Sequence, residues 1–473
     1  MFTKLKWKRV DEGMMMNSAS YWRFVSYSVL ATTIVCGMLS ISALARPGLS
    51  DKPSFTKRVG RVTHTGHRSD GFVKKRSERR VKVVVTNPAG FSRESETVEI
   101  NLSQIAKWLH VQPAEGEVAV VDSESGRILV SQIYSSQPGR PPDRFIFQVN
   151  LGPHERRIYF VIRASKLSTP PKFTTKTFAR FVPERYDDFA WENDKIAFRM
   201  YGQALMTAPG DALTSSGIDV WVKRTHKLIV NEMYSSGHYH DVNGDAMDDY
   251  RVGTSRGDGG LGIWNRKKLF VSKNYHQWRI ITNGPIRSVF ELTYDSWNAG
   301  NGRTVSEVKR ISIDAGSWLC KNVSIFESNK KGPLTVGVGL AERSCGLDGR
   351  EVIAQNKREG WMTYWQPEDK PKGIIGVAIV LPKGSVERFT NDNPNLPDSV
   401  IHAAVPQPTV EGAPPIRNLL AITKVKVGHP LTYYFGACWN KTGDFVNNAQ
   451  WDDYVARFAE RRDRPLKVRL IKE

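Results

Sequence analysis

Short apolar segments separated by turn residues run through most of this chain from Val81 onward, and they constrain its fold more than any other sequence feature. Residues 81–166 contain the segments VKVVVTNPAG, ETVEINL, EVAVVDSESGRILVSQIY, DRFIFQVNLGP and RRIYFVIRA. Asn-Pro, Ser-Gly and Gly-Pro turns separate them at intervals of roughly 10 residues, which is typical of an all-β sandwich. We therefore predict a small N-terminal β-sandwich over residues 81–166 and a Pro/Thr/Lys-rich linker over residues 167–179.

The same pattern continues over residues 180–473, where the candidate strands are longer. They are IAFRMYG, IDVWVKR, LFVSKNY, WRIITNG, SVFELTYDSW, TVSEVKRISID, LTVGVGLAE, GIIGVAIVLP, LAITKVKVG and LTYYFGACW. So many strands predict a large two-layer sandwich, because a single flat sheet of that size would curl or split. Only WDDYVARFAERR has apolar residues at helical spacing, so we predict one helix near the C-terminus.

The N-terminus resembles a secretory signal. Lys and Arg residues precede an apolar run from Tyr27 to Leu44, and small residues lead to a predicted cleavage after Ala45. A retained membrane anchor is the alternative, because the run approaches the roughly 18 apolar residues that can span a bilayer. We predict a signal peptide over residues 1–45, a basic disordered segment over residues 46–80, a periplasmic or secreted location, and no stable membrane span after cleavage.

The net charge of the chain is +20, which favours a polyanionic partner. For an exported protein we expect an acidic oligosaccharide or polysaccharide rather than nucleic acid. Cys320, Cys345 and Cys438 follow the predicted signal without metal-type spacing, so at most one disulfide is expected. The chain has no G-x-S-x-G, Walker or H-E-x-x-H motif, which disfavours serine hydrolases, nucleotide hydrolases and zincins.

Residues 215–291 concentrate the polar side chains that could carry chemistry. Asp241-x-Asn243-x-Asp245-x-x-x-Asp249 places oxygen ligands as a Ca²⁺-binding loop does, although Ala246 and Gly253 depart from that pattern. The alternative is an exposed loop rich in Asp and Asn. We retain these four residues as a candidate calcium site, with no cofactor otherwise predicted.

Two histidines precede this loop. His238 and His240 lie two residues apart, so on an extended strand they share one face, where one could bind metal or exchange a proton. Gly257-x-Gly259-x-x-Gly262 matches a dinucleotide fingerprint in letters only, because strand-like sequence follows it instead of a helix. We interpret these glycines as permitting tight turns or close backbone approach.

These residues could catalyse either of two reactions. Glycoside hydrolysis requires two carboxylates, which Asp245, Asp248, Asp249 and Glu291 could supply. A lyase acting on a uronic acid requires a partner for the carboxylate, a base and an acid. Arg251 or Arg256, His240, and Tyr250 or Tyr275 could fill these roles.

Several segments together resemble a family of bacterial exported proteins, the domain of unknown function 4861 family. They are RYDDFAWENDKIAFRMYGQAL, SSGIDVWVKR, GHYHDVNGDAMDDYRVGTSRGDGGLGIW, NGPIRSVFELTYDSW, SEVKRISIDAGS, YYFGACWNKTGDF and WDDYVARFA. The resemblance implies a galactose-mutarotase-like β-supersandwich over residues 180–473 and an association with pectin and rhamnogalacturonan degradation. The family's central motif corresponds here to His240, Asp241, Gly244, Asp245, Ala246, Asp248 and Tyr250, with Asp245 and Ala246 replacing Glu and Gly.

We therefore predict an exported carbohydrate-active protein for uronate-containing glycans, a lyase ahead of a hydrolase. The alternative is a non-catalytic glycan-binding protein. The predicted catalytic residues are His240 as base, Tyr250 as acid, Arg256 as carboxylate partner and Asp245 in an orienting role. The predicted substrate-binding residues are His238, Arg251, Asp248, Trp264, Tyr275, His276 and Glu291.

Overall fold

Antiparallel β-strands build nearly all of the described chain. The computed structural model describes residues 79–112, 114, 116–167, 169, 172–237, 239–241, 244–343, 352–368, 371–393 and 415–473. The predicted signal peptide and all but the last two residues of the predicted basic segment lie outside these ranges. Among the described residues, no helix is long and apolar enough to cross a membrane.

The N-terminal region forms two facing sheets. Its strands are β1 (Val81–Thr86), β2 (Arg93–Asn101), β3 (Val118–Asp122), β4 (Ile128–Leu129), β5 (Ser131–Tyr134), β6 (Arg144–Leu151) and β7 (Arg156–Arg163). One sheet has the order β2-β6-β5, and the other contains β1-β7-β3-β4. Valine, leucine, isoleucine and phenylalanine side chains from both sheets form one buried core, so the predicted small sandwich is present.

A short helix that we did not predict covers one end of this sandwich. Helix α1 (Leu102–Leu109) begins at Asn101, whose side chain accepts hydrogen bonds from the backbone N–H groups of Ser103 and Gln104. It buries Leu102, Ile105, Ala106 and Leu109 on one face. Eight residues give too few apolar repeats for the helical period to stand out from the neighbouring strands.

Three larger sheets follow. The first has the order β12-β11-β10-β9-β8, the second β14-β13-β19-β24-β23, and the third is eight-stranded, β15-β16-β17-β18-β25-β22-β21-β20. Their strands are β8 (Thr177–Val182), β9 (Asp188–Asn193), β10 (Ala197–Met200), β11 (Asp219–Lys223), β12 (Ala246–Asp248), β13 (Asp258–Asn265), β14 (Lys268–Phe270), β15 (Gln277–Thr282), β16 (Arg287–Asn298), β17 (Thr304–Asp314), β18 (Leu319–Ser328), β19 (Pro333–Arg343), β20 (Val352–Asn356), β21 (Trp361–Trp365), β22 (Ile375–Val380), β23 (Arg388–Asn391), β24 (Pro415–Lys426) and β25 (Leu431–Trp439). One large core joins all three sheets. The prediction of an all-β, multi-sheet sandwich architecture is confirmed.

The helix predicted near the C-terminus is confirmed as α3 (Asn448–Asp463), which buries Trp451, Val455 and Phe458 on one face. A second helix, α2 (Val230–Ser236), and short 3₁₀ turns at Ala164–Lys166, Pro183–Arg185, Gln203–Thr207 and Asn440–Thr442 were not predicted.

The chain returns to its N-terminal sandwich after α3. Strand β26 (Lys467–Lys472) pairs antiparallel with β1, so that Val81 lies opposite Lys472 and Thr86 opposite Lys467. The predicted large sandwich over residues 180–473 is therefore too long at its C-terminal end, because this strand extends the N-terminal sheet to β26-β1-β7-β3-β4. The sequence of β26, KVRLIK, contains three apolar residues but gives no sign of which sheet the strand joins.

One glutamine makes four hydrogen bonds between the small sandwich and the eight-stranded sheet. The Gln132 side chain donates to Thr282 Oγ1 at 3.1 Å and to Arg287 O at 2.9 Å, and its oxygen accepts from the backbone N–H groups of Ile286 and Arg287. Cys320 and Cys438 are free, buried thiols, and Cys345 lies outside the described residues.

Candidate functional site

The segment that follows α2 lines a cavity of about 380 Å³. The side chains and backbone around it belong to Arg199, Tyr201, His240, Asp248, Asp249, Tyr250, Arg251, Val252, Gly253 and Lys372. Strand β10 contributes Arg199, β12 ends in Asp248, and the loop after β12 supplies the next five residues. The volume falls within the range of about 300 to 1,000 Å³ that is typical of small-molecule sites.

A buried arginine lies at this cavity and is held by three carboxylates. Arg199 donates from Nε to Asp219 Oδ2 at 2.8 Å and from Nη2 to Asp248 Oδ2 at 2.7 Å. Its Nη1 lies 3.6 Å from Asp188 Oδ2 and has no hydrogen-bond partner among the described residues. Asp219 is the register partner of Arg199 on the neighbouring strand, so sheet pairing alone brings these two side chains together.

Aromatic rings surround the same guanidinium. It lies 5.1 Å from the ring centre of Trp221, 5.4 Å from that of Tyr201 and 6.0 Å from that of Tyr239. Cation–π contacts of this kind strengthen when the cation is removed from water. The arginine is therefore fixed in position before any ligand arrives.

Two of the carboxyl groups around Arg199 have raised pKa values. Burial raises the pKa of Asp188 to about 6, against the opposing effect of Arg199. Burial, reinforced by the like charge of Asp248, raises the pKa of Asp219 to about 8 despite its hydrogen bonds with Arg199. Near neutral pH Asp219 therefore keeps its proton. The net charge of Arg199 and its three carboxyl neighbours is then closer to zero than it would be with all three carboxyl groups ionised.

His240 is fixed in one tautomer. Its Nδ1 lies 2.7 Å from the backbone oxygen of Asp248, and because a carbonyl oxygen can only accept, Nδ1 must carry the hydrogen. In the neutral ring this leaves Nε2 with a free lone pair. The side chain is exposed and lines the cavity, so His240 is available as a proton acceptor.

Tyr250 keeps its proton over the whole physiological range, because burial raises the pKa of its hydroxyl well above the usual value. The hydroxyl is buried and has no hydrogen-bond partner among the described residues. The guanidinium of Arg343 lies 5.0 Å from the centre of its ring. Tyr250 contributes to the cavity lining, but its hydroxyl is shielded from solvent.

The remaining charged residues that line the cavity differ in whether a side chain of opposite charge is paired with them. Asp249 is paired with Lys372, with Oδ1 and Nζ 2.8 Å apart, and Asp248 is paired with Arg199. Arg251 is exposed at the cavity and has no carboxylate partner among the described residues. The accessible charge at the cavity is therefore positive.

Two residues predicted to be catalytic lie away from this cavity. The Asp245 side chain is 63% exposed and 4.0 Å from Lys227 Nζ. Arg256 lies in the interior, where it donates to Ser216 Oγ at 2.9 Å and to the backbone oxygen of Thr254 at 3.1 Å. Burial lowers its pKa to about 10. Arg251, not Arg256, is the arginine whose exposed side chain can meet a ligand in this cavity, and Arg199 is buried beneath it among its carboxylate partners.

Several predicted substrate-binding residues are also elsewhere. Trp264 and Tyr275 are buried in the core, where the Tyr275 hydroxyl donates to the backbone oxygen of Asp187. His276 lies beside Asp295 at 3.6 Å. Glu291 is held between Arg279 and Arg310 on the eight-stranded sheet and lines a different cavity. His238 lies outside the described residues.

The candidate calcium ligands are not gathered into a metal site by the described part of the chain. Asp249 is bound to Lys372, Asp245 is exposed, and Asn243 lies outside the described residues. Asp241 is exposed and does not line the cavity. Across the described ranges, no group of three His, Cys, Asp or Glu side chains is close enough to hold a metal ion.

Arg199, Tyr201 and Lys372 were missed because they are distant in sequence from His240. A signal was nevertheless present for Arg199, since it interrupts the apolar strand IAFRMYG, and a buried arginine in a strand requires a nearby anion. Asp219, the polar residue at which β11 begins, was a candidate for that anion.

A family model described as domain of unknown function (DUF4861) matches residues 85–468. The chain belongs to this family. A relative from Formosa agariphila, described as "Uncharacterized protein P7", is 32% identical over 406 residues, which cover 84% of this chain and 95% of the relative. The family match spans every residue of the cavity.

Solved structures show a weaker likeness. A protein in the glycosyl hydrolase family 38 from Enterococcus faecalis is 9% identical with a TM-score of 0.43, over 84% of this chain and 48% of that one. An α-mannosidase from Enterococcus faecalis V583 is 8% identical with a TM-score of 0.40, over 83% of this chain and 46% of that one. This chain thus spans about half the length of those proteins.

Proposed function

We propose that this protein is exported and acts on uronate-containing glycans, and that the cavity beside His240 binds the acidic sugar and catalyses its β-elimination. The observation that carries this proposal is the combination of a base with a cation. Within the described residues, His240 exposes Nε2 without a hydrogen-bond partner, and Arg251 supplies a positive charge without a carboxylate partner at the same cavity. Export rests on the predicted signal peptide over residues 1–45.

Anion binding follows from the charge of the cavity. The carboxylates of Asp248 and Asp249 are already occupied by Arg199 and Lys372, so they do not repel an incoming uronate as free charges would. Arg251 can pair with the sugar carboxylate, whereas Nη1 of Arg199 is buried and lies beside Asp188. Neutralising that carboxylate is also what acidifies the C5 proton of a uronic acid.

The reaction that suits these groups is elimination. His240 Nε2 accepts the C5 proton, the C5–H electrons form the C4=C5 double bond, and the C4–O bond breaks. The leaving oxygen takes a proton from water, because the hydroxyl of Tyr250, the acid predicted from the sequence, is shielded from the cavity. Hydrolysis by two carboxylates fits less well, because both acidic side chains that line the cavity are held in ion pairs.

Product analysis with a matched control tests this proposal. The purified protein is incubated with pectic and rhamnogalacturonan fragments, and the absorbance of unsaturated uronate is recorded together with reducing ends. We expect both to increase, and His240→Ala to abolish the increase. His226→Ala is the control, because the Nδ1 of this exposed histidine also bonds a backbone oxygen, that of Asp194 at 2.9 Å, away from the cavity.

Reducing ends without absorbance would replace the lyase assignment by a hydrolase. Turnover that survives His240→Ala would remove His240 from the mechanism. A second candidate function is a non-catalytic glycan-binding protein, which the shielded hydroxyl of Tyr250 favours. Binding of acidic fragments without any product would establish that alternative.

A further inference from the structure

A second, larger cavity of about 1010 Å³ lies between the N-terminal sandwich, the outer face of the eight-stranded sheet and α3. We infer that this cavity, here called the groove, binds a neutral saccharide chain. The groove shares no lining residue with the cavity at His240. This inference therefore goes beyond the proposed function and does not depend on it.

The floor of the groove carries exposed apolar side chains. Val308 on β17 and Ile325 on β18 are register partners, and they are 37% and 42% exposed. Val323 continues this patch along β18, and the ring of Tyr434 on the next strand also lines the groove. The C–H faces of sugar rings pack on aliphatic and aromatic surfaces of this kind, and a few polar groups at the edges then set the orientation.

The walls are charged but balanced. The lining contains equal numbers of basic and acidic side chains. Among the described residues, all of them except Lys321 and Glu94 take part in ion pairs. Arg310 binds Glu291 at 2.5 Å, and the hydrogen bonds from Arg279 and Arg310 outweigh burial and lower the pKa of Glu291. With its charges paired in this way, the groove favours an uncharged ligand over a polyanion.

Hydrogen-bonding groups suited to hydroxyls surround the apolar floor. They include Ser95, Thr97, Ser136, Gln137, Ser312 and Gln450. The wall is also fixed to the floor, because Arg310 Nη1 donates to the backbone oxygen of Ser136 at 3.1 Å and Arg287 Nη1 donates to the Tyr134 hydroxyl at 3.0 Å. The groove therefore exists before a ligand binds, which reduces the entropic cost of binding.

An extended peptide fits this surface less well. The strands of the floor, β16, β17 and β18, each have a neighbour on both sides, so they offer no open edge for strand addition. Strand β2 on the wall is irregular, since Ser95 has φ 49° and the pairing register shifts between Arg93 and Glu96. Bulges and charged side chains at an edge oppose pairing with another chain.

The volume of the groove indicates an oligosaccharide ligand. The volume lies at the top of the range of about 300 to 1,000 Å³ for small-molecule sites, whereas the cavity at His240 lies near its lower end. We therefore assign the groove to several consecutive neutral sugars of a glycan.

Calorimetry on the full chain tests this inference with neutral oligosaccharides prepared from cellulose, xylan and galactan. We expect at least one of them to bind, and Val308→Arg to weaken its binding by about tenfold or more. Val468→Arg is the matched control, because Val468 on β26 is 38% exposed and lines neither cavity. Ile325→Ala removes apolar contact without adding charge and should weaken binding in the same direction.

His240→Ala should leave this binding unchanged, which separates the groove from the proposed reaction. If none of the three oligosaccharide sets binds to the wild-type chain, the inference is wrong. It is equally wrong if the affinity survives both Val308→Arg and Ile325→Ala while the thermal stability of these variants equals that of the wild type. Binding of an extended peptide in place of the sugars would also overturn it.

Discussion

Single side chains set the charge that a ligand meets at the cavity, and Arg251 is the clearest case. The other cations there, Arg199 and Lys372, are already paired with carboxylates. An exposed guanidinium without a carboxylate partner can form a charge-assisted, bidentate contact with a sugar carboxylate. Arg251 should therefore determine the preference for acidic over neutral ligands at this cavity.

Arg251→Gln should weaken binding of galacturonate oligomers by about tenfold, because a hydrogen bond to a charged group contributes about 1.5 to 3 kcal/mol. Calorimetry measures the loss directly. Arg127→Gln, an exposed arginine in the N-terminal sandwich, should bind as the wild type does. Equal losses in both variants would show that general surface charge, and not the cavity, attracts the ligand.

Asp219 makes the stability of the fold depend on pH. Its pKa in the folded state is about 8, above its ordinary 3.8, so the folded chain keeps a proton that the unfolded chain releases. The free energy of unfolding therefore falls as pH rises from about 4 to about 8, and Asp188 adds to the fall up to about pH 6. Asp219→Asn cannot titrate, and its amide oxygen can still accept from Arg199.

We expect the unfolding free energy of Asp219→Asn to decline less steeply than that of the wild type, with the clearest difference between about pH 6 and pH 8. Urea unfolding at a series of pH values measures this slope. Parallel declines in the two proteins would place the Asp219 carboxyl in the ionised state throughout, and our description of the buried cluster would then be incorrect.

At the scale of elements, close backbone approach explains the glycines that imitate a dinucleotide fingerprint. Gly257 has φ 60°, and a Cβ atom there would lie 2.0 Å from the backbone oxygen of Ile218. A bridge pairs Gly257 with Ile218, and β13 begins at the next residue. Here the glycine permits two backbone segments to meet and has no phosphate-binding role.

Gly257→Ala should destabilise the fold by at least about 2 kcal/mol more than Gly210→Ala, because it adds a backbone clash to the strain of positive φ. Gly210 has φ 75°, and a Cβ atom there would have no other atom of the described residues within 4 Å, so this position isolates the strain of positive φ. Thermal and urea unfolding of both variants measure the difference. Equal losses of unfolding free energy in the two variants would mean that the backbone near Ile218 moves aside at little energetic cost.

The elements also show how much of the site could be predicted. His240, Asp248, Asp249, Tyr250 and Arg251 lie in one short segment, and proximity in sequence was enough to group them. Arg199, Asp219 and Lys372 join them only through strand pairing and loop packing, and a single sequence does not give the register between distant strands. Arg256 was misplaced because nothing in its local sequence distinguishes a buried arginine from an exposed one.

At the scale of the whole molecule, the spacing of apolar residues was sufficient to predict the sandwich architecture and, through its helical period, α3. It did not bring out the pairing of β26, because KVRLIK is short and its partner strand β1 lies almost 400 residues earlier in the chain. This strand is held by its ladder with β1 and by Leu470, which packs against the core of the small sandwich. The distant partner strand, and not the local sequence, thus decides which sheet β26 joins.

Removal of residues 467–473 should loosen the N-terminal sandwich and leave the large core intact. We expect amide exchange in β1 to accelerate by about 100-fold or more, because its ladder with β26 is lost and β1 becomes an edge strand. Hydrogen exchange measured by mass spectrometry resolves the two regions. Exchange in β22, which lies in the eight-stranded sheet, should not change, and acceleration there as well would mean that the two regions unfold together.

The pairing of β26 with β1 also affects the order in which the molecule can be assembled during synthesis. Strand β1 starts at Val81, and its partner is complete only after Lys472 has left the ribosome. Nearly the entire large sandwich must be translated in the interval. The small sandwich therefore begins before the large one and is completed after it, and the exposed edge of β1 needs protection from other chains until then.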